Sequence, residues 1–274
     1  MNPDCHSQEV EGIVNSITRS RKYRFLDLPE DTVRDLVARE LPRHRYRADA
    51  VKTVKRKLHN IVATYLGDPD YAAAEQELVV AFETAQRDAV RGACASIMSH
   101  HSSTRERLPE LPDFYRRIFE QIGRPSTVLD IACGLNPLSF PWMGLSIATQ
   151  YYAYDIRPAR IALLNHYFTL QGLSPLARVQ DVLVHFPDET GDVALIFKEV
   201  HRFEQRERGS SLALMDALRV RQVVVSFPRV NLSGEHDLGT GYRELLYHMT
   251  CRRPWKVVEL PFSAELVFCI DKSL

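Results

Sequence analysis

The 274-residue sequence has little of what would place it outside the cell, across a membrane or around a metal. Its five cysteines, Cys5, Cys94, Cys133, Cys251 and Cys269, are odd in number and scattered, with no C-x-x-C pair, so neither a disulfide framework nor a zinc site is indicated. No apolar run approaches the ~20 residues that cross a bilayer. The start, Met1 to Val10, is polar and carries Asp4 and Glu9, and so lacks the basic-then-apolar layout of a secretory signal. A soluble, cytoplasmic protein without metal or membrane partner is expected. Net charge is also absent, with 35 basic residues balancing 35 acidic ones, while 45% hydrophobic and 26% charged residues are ordinary for a globular chain.

The zero net charge conceals a local excess. Between Arg19 and His59 there are 13 Lys and Arg against 6 Asp and Glu. Positive charge gathered near the N-terminus is the footprint of a phosphate-bearing partner. The first hundred or so residues read as helices, with few glycines and apolar positions at helical spacing. In Ala48 to Leu66, Val51, Val54, Leu58, Ile61, Val62 and Tyr65 share one face, and Lys52, Lys55, Arg56 and His59 line another. Asp27-Leu-Pro-Glu-Asp-Thr starts an earlier helix, and Gly67-Asp-Pro-Asp breaks the chain before a later one. The cations Arg21, Lys22, Arg43, Arg45, Arg47, Lys52, Lys55, Arg56 and Lys57 are candidates for RNA phosphates; the alternative for each is a solvated surface charge.

From Pro125 the pattern changes to short β-rich runs alternating with helical stretches, the mark of an α/β sheet with crossover helices. The runs are Thr127 to Ile131, Tyr151 to Tyr154, Arg178 to Gln180, Val193 to Phe197 and Gln222 to Phe227. Trp255 to Leu260 and Glu265 to Ile270, joined through Pro261-Phe-Ser-Ala, read as a β-hairpin. The expected architecture is α/β: a Rossmann-like class I methyltransferase sheet ending in a hairpin (residues 105–274), preceded by an all-helical, basic RNA-binding domain (residues 1–104).

Strand ends mark the ligand site of such a sheet. Thr127-Val-Leu-Asp-Ile-Ala-Cys-Gly runs into a tight turn at Ala132 and Gly134. The turn lacks the G-x-G-x-x-G cradle of a pyrophosphate, which favours S-adenosylmethionine over a dinucleotide. The second strand ends in Asp155, followed by Ile156, 21 residues after Gly134, where a carboxylate can accept ribose hydroxyls. The third ends at Gln180 and Asp181, suited to an adenine edge. Each alone is also explained as a turn residue or helix cap; in order, on consecutive strand ends, they favour one cofactor site. Asp130 either approaches the methionine amine or supports the turn.

These residues, with Lys22-Tyr-Arg, Asp31-Thr-Val-Arg, Val54-Lys-Arg-Lys-Leu-His, Ser103-Thr-Arg-Glu-Arg-Leu, Leu129-Asp-Ile-Ala-Cys-Gly-Leu-Asn-Pro, Gln180-Asp-Val-Leu, Ala194-Leu-Ile-Phe-Lys and Val225-Ser-Phe-Pro, resemble the aminoglycoside-resistance 16S rRNA (guanine-N7) methyltransferases. The resemblance covers most of the chain. It implies methylation of guanine N7, guanine 1405 in the family's naming, in the decoding A-site of 16S rRNA within the 30S subunit, and resistance because the drug loses its contact there. It also implies that Thr104 and Arg105 meet the cofactor carboxylate, Asp155 its ribose, and Gln180 and Asp181 its adenine, with Phe197 and Lys198 beside the methyl. A monomer is expected. From the residues alone, the preferred reading of Arg105 is an exposed helix cation pairing with Glu106 or nearby acids. The segment Asn231-Leu-Ser-Gly-Glu-His-Asp-Leu-Gly-Thr-Gly-Tyr departs from the family's basic one by carrying Glu235 and Asp237; Tyr242 is its aromatic candidate.

The chemistry is consistent with N7. That nitrogen carries a lone pair and no proton, so no acid–base dyad is needed, and none is evident. An exocyclic amine would call for an N-P-P-Y-like turn after the fourth strand, where Phe197-Lys-Glu-Val-His stands instead, and Cys133 lies in the cofactor turn rather than at a nucleophile's position. Lys198, Glu199, His201 and Arg202 follow that strand, either near the substrate entrance or as a solvated helix start. Two other function classes fit the same residues: a small-molecule methyltransferase with a helical lid, and a noncatalytic RNA-binding protein.

Overall fold

The structure is a computed structural model describing residues 3–24, 28–62, 68–229 and 238–273, excluding the side chains of 3–7 and 62. Tyr65, and the divergent segment from Asn231 to Asp237, lie outside the described residues. Three helices come first: α1 (Pro3–Thr18), α2 (Glu30–Glu40) and α3 (Arg47–Val62). On α3, Val54 and Leu58 are buried and Val51 and Ile61 half-buried, a stripe at helical spacing that meets Ile13, Val14 and Ile17 of α1 and Val33, Leu36 and Val37 of α2. Lys52, Lys55, Arg56 and His59 face solvent, as the spacing predicts.

Next come α4 (Tyr71–Glu83), α5 (Arg87–Ser99), the single turn α6 (Ser102–Arg105) and α7 (Leu111–Ile122). Asp70 caps α4, its carboxylate accepting from the amides of Ala72 and Ala73, so the break at Gly67-Asp-Pro-Asp has a local cause. The sheet follows: β1 (Thr127–Ile131), α8 (Phe140–Met143), β2 (Gln150–Asp155), α9 (Pro158–Gln171), β3 (Ala177–Val179), β4 (Thr190–Phe197), α10 (Val200–Arg206), α11 (Ser210–Ala217), β5 (Arg219–Pro228), α12 (Gly239–Thr250), β6 (Lys256–Pro261) and β7 (Glu265–Asp271).

The seven strands lie in the order β3-β2-β1-β4-β5-β7-β6. The first five are parallel, and β7 runs antiparallel to both β5 and β6. This doubly wound order, closed by a hairpin, is the expected class I methyltransferase fold. Both faces of the central strands are covered, hence their near-continuous apolar runs. On β4, Val193, Leu195 and Phe197 join the core under α4, α5, α7 and α9, while Ala194 and Ile196 join the core under α10, α11 and α12.

The division expected at residue 104 falls inside one core. Ala93, Cys94 and Ile97 of α5 and Phe114, Ile118 and Phe119 of α7 share a hydrophobic cluster with the sheet, whereas α1–α3 build a separate one from Val10 to Leu58. Periodicity distinguishes helix from strand; it does not reveal which core a helix serves.

Candidate active site

The ends of β1, β2, β3 and β4 open into one cleft enclosing about 1030 Å³ of space, solvent at its mouth included. Ala132, Gly134, Asp155, Ile156, Gln180, Asp181 and Phe197 all line it. At the end of β1, Ala132 takes φ 49°, and Gly134 φ 55°. A side chain at Gly134 would be strained by that φ and would face the His101 ring at 3.6 Å. The turn is pinned because the Gly134 amide donates to Asp155 Oδ2 at 3.1 Å. Asp155 also accepts from Arg160 Nη1 at 2.7 Å and from the Arg157 amide at 2.9 Å. A carboxylate offers about four acceptor positions. Three are taken, and one on Oδ1 is left that can accept from a ligand hydroxyl.

Asp181 repeats the pattern. Its Oδ2 accepts from Arg206 Nη1 and the Thr32 hydroxyl, both at 2.7 Å, and Oδ1 accepts from the Leu183 amide at 3.0 Å. The side-chain amide of Gln180 donates to the carbonyl of His185 at 2.8 Å, which turns its oxygen free. The acceptor set therefore fits an adenosine with donating hydroxyls at one end and a donating exocyclic amine at the other.

The geometry departs from expectation at Thr104, Arg105 and Lys198. Thr104 is 1% exposed, and its hydroxyl donates to the carbonyls of Met98 and His101, capping the turn of α6 instead of reaching the cleft. Arg105 is exposed and off the cleft wall. Of the two arginines in S-T-R-E-R-L, the one that lines the cleft is Arg107, two residues on and thus on the opposite side of the chain. Arg107 is 1% exposed and grips Glu265 through Nε–Oε1 at 2.8 Å and Nη2–Oε2 at 2.9 Å; its Nη1 donates to Asn136 Oδ1 at 2.7 Å. Two of its five N–H groups remain for a ligand carboxylate. Its guanidinium lies 4.4 Å from the Phe197 ring centre and 4.5 Å from that of Phe114. Lys198 takes φ 59° at the end of β4 and does not line the cleft; its Nζ pairs with Glu106 at 2.7 Å and Glu265 at 3.4 Å and donates to the Ser103 carbonyl at 3.4 Å.

Behind the cleft, Asp130 accepts from Asn136 Nδ2 at 2.9 Å and Tyr151 OH at 2.7 Å and does not line it. Of the two readings of Asp130, turn support is the one the contacts describe. Burial pushes its carboxyl up to about 7, against the pull of Asn136 and Tyr151. Glu199, on the cleft wall, is likewise pushed up to about 7 by desolvation, with Arg202 opposing. His101 is driven down to about 4 by burial and then by Arg160, which leaves a neutral imidazole in the cleft wall. Tyr242 stacks on Phe227, ring centres 4.8 Å apart, with His201 at 5.3 Å, a cluster outside the cleft.

Among the nine basic candidates, all but the half-buried Lys57 are exposed, and Arg21, Lys22, Arg45, Arg47, Lys52, Lys55 and Arg56 form no ion pair among the described residues. Lys22, Lys55 and Arg56 converge with His59 on a shallow groove of the α1–α3 unit. Arg43 and Lys57 do something else. Arg43 holds Glu207 bidentately at 2.7 and 2.8 Å, and Lys57 pairs with Glu40 at 2.8 Å, donates to the Arg206 carbonyl and lines the cleft. Arg43 through Glu207, and Lys57 through the Arg206 carbonyl, tie the N-terminal unit to the end of α10. His101, Ser103, Asn136, Arg160 and, from α3, Asn60 and Ile61 also line the cleft. Asn136 stands in the D-I-A-C-G-L-N-P string, whereas the α3 residues carry no local signal of a ligand site.

Residues 19–269 match the family described as ribosomal RNA methyltransferase (FmrO). A 16S rRNA (guanine(1405)-N(7))-methyltransferase of Micromonospora echinospora is 36% identical to this chain, over 99% of the chain and 100% of the relative. One from Serratia marcescens is 33% identical over 82% of this chain and 83% of its own. The solved structure of the 16S rRNA methyltransferase RmtF in complex with S-adenosyl-L-homocysteine superposes with a TM-score of 0.76 at 29% identity, over 96% of this chain and 98% of that one. With the family model matched over residues 19–269 and a relative 36% identical over nearly the whole length, this chain belongs to the ribosomal RNA methyltransferase (FmrO) family.

Proposed function

We propose that this chain transfers the methyl group of S-adenosylmethionine to N7 of a guanine in the decoding A-site of 16S rRNA, in the 30S subunit. The target is the guanine numbered 1405 in the names of its relatives, and the outcome is aminoglycoside resistance. The observation that carries the reading is the convergence of Gly134, Asp155 and Asp181 on one cleft, part of whose wall is α3, the helix that also carries the exposed cations Lys52, Lys55 and Arg56.

When bound, S-adenosylmethionine supplies an electrophilic methyl carbon on a sulfonium. The chain's task is alignment, which is where most of the rate of such an in-line displacement arises. Asp155 orients the ribose through its remaining acceptor position, and Asp181 with Gln180 receives the adenine. Arg107, held rigid by Glu265 and Asn136, offers its two spare N–H groups to the methionine carboxylate, with Ser103 and the neutral His101 beside it. Phe197 closes the apolar side next to the methyl. Lys198, off the cleft wall, acts by holding Glu106 and Glu265 in place. No group need remove a proton, since N7 has none. A base in structured RNA must be turned out of its stack at a cost of a few kcal/mol, and phosphate contacts at Arg21, Lys22, Arg45, Arg47, Lys52, Lys55 and Arg56 offset it.

Expression in a susceptible bacterium tests the reading. High resistance to gentamicin-type and kanamycin-type drugs is expected, lost in Asp155→Ala at equal protein level; full sensitivity with good expression contradicts it.

A further inference from the structure

The cofactor cleft is not built by the sheet alone. Lys57, Asn60 and Ile61 of α3 form part of its wall, and the N-terminal unit reaches the cleft's acid directly through α2. Thr32, in the first turn of α2, is fully buried, and its hydroxyl donates to Asp181 Oδ2 at 2.7 Å across 149 residues of sequence. A threonine in a helix's first turn has nearby backbone groups to bond. This one is committed to a carboxylate of the other core.

A set of ion pairs surrounds that bond. Arg206, the second donor to Asp181 Oδ2, also pairs with Asp35 of α2 at 3.4 Å. Lys57 bridges Glu40 to the Arg206 carbonyl, and Arg43 grips Glu207. Arg202 Nη2 donates to the Asn60 carbonyl at 2.9 Å. Each contact links the α1–α3 unit to α10 or to the turn after β3, the two segments that carry Asp181, Arg202 and Arg206 into the cleft.

The consequence for Asp181 is geometric. With Leu183 on Oδ1 and Thr32 and Arg206 on Oδ2, a single acceptor direction remains. Without the Thr32 hydroxyl, Oδ2 has an unfilled position, the carboxylate gains rotational freedom, and ordering it is charged to ligand binding.

We propose that Thr32 is a positioning residue for the cofactor site, fixing Asp181 from the N-terminal unit, so that engagement of that unit by RNA and occupancy of the cleft are thermodynamically linked. This rests on the reading above that Asp181 receives the adenine end. Linkage is reciprocal: whatever factor bound RNA applies to cofactor affinity, bound cofactor applies to RNA affinity.

Calorimetric titration of S-adenosylhomocysteine into the full chain tests it, using Thr32→Val, Thr32→Ser, Asp181→Asn and the Thr32→Val/Asp181→Asn pair. Thr32→Val is expected to weaken binding roughly 3- to 10-fold, the scale of one hydrogen bond, while Thr32→Ser stays near wild type. The pair should be no weaker than Asp181→Asn alone by more than about twofold, as for two residues acting through one contact. In methyl transfer to small ribosomal subunits, Thr32→Val should raise the KM for the cofactor and leave kcat unchanged. Saturating subunits should shift the wild-type affinity more than that of Thr32→Val. The proposal is overturned if Asp181→Asn weakens binding and Thr32→Val does not, or if Thr32→Ser and Thr32→Val fall together, which marks a packing defect. Equal shifts with subunits refute the linkage. Wild-type affinity in Asp181→Asn sinks the underlying reading of the cleft instead.

Discussion

Replacing Arg107 by Met isolates the group on which the rigid side of the cleft depends. The arginine is 1% exposed, as is its partner Glu265, and the replacement removes both arms of their bidentate pair together with the bond to Asn136. The Met side chain fills much of the space between Phe114 and Phe197, so the loss is electrostatic more than steric. Taking one partner from a buried pair costs about 3–5 kcal/mol, because the other charge stays behind in the interior. At about 2–4 °C per kcal/mol for chains of this size, the midpoint of thermal unfolding should fall by roughly 6–20 °C. Burial by itself pushes Glu265 up, but Arg107 and then Lys198 outweigh it and hold the carboxyl below its ordinary range. A depressed folded pKa adds stability above the unfolded value and loses it as pH falls through the folded value. Without Arg107, burial prevails and the sign reverses, so the deficit should be larger at pH 8 than at pH 4. Melting curves followed by circular dichroism across that range, with Arg107→Met/Glu265→Leu recovering much of the loss, check each step. A deficit under about 1 kcal/mol, or one that does not change with pH, refutes the reasoning.

Asp155→Ala removes the acceptor for Gly134, Arg157 and Arg160 together and should weaken S-adenosylhomocysteine binding at least ~10-fold, the scale of a charged hydrogen bond; an unchanged calorimetric Kd contradicts the ribose assignment. Neutralising Lys52, Lys55 and Arg56 should flatten the salt dependence of binding to small ribosomal subunits by roughly 0.7–0.9 in log–log slope for each cation that meets a phosphate. An unaltered slope removes that face from the RNA footprint. Asp130, pushed up to about 7 by burial, contributes stability below its unfolded pKa that is lost as pH rises towards 7. Wild type should therefore lose ground to Asp130→Asn between pH 4 and pH 8, and parallel melting profiles would show that the carboxyl is not titrating there.

The sheet was legible because its signals are local. Apolar runs bounded by turns at Thr127–Ile131 and Val193–Phe197 fix strands, and the ends of parallel strands fix where a ligand lies, so Gly134, Asp155 and Asp181 could be named from spacing. Arg107 could not be separated from Arg105 in the same way. Both stand in S-T-R-E-R-L, and only the helical phase, set by where α6 meets the core, decides which of two residues two positions apart faces inward. Glu265 stands 158 residues from the arginine it neutralises, and nothing in an alternating strand marks such a reach. The excess of positive charge near the N-terminus was visible, but the diversion of Arg43 to Glu207 and of Lys57 to the Arg206 carbonyl depends on how two cores dock, as does the entry of α3 into the cleft wall.

The most direct measurement is to incubate purified small ribosomal subunits with this protein and methyl-labelled S-adenosylmethionine, then cleave the 16S rRNA chemically at N7-methylguanine and read the position by primer extension. One methyl group per subunit and a single new stop at the guanine numbered 1405 in the relatives' names is the predicted result. Label without N7-specific cleavage, cleavage at another nucleotide, or no transfer from a protein that binds the cofactor would contradict it.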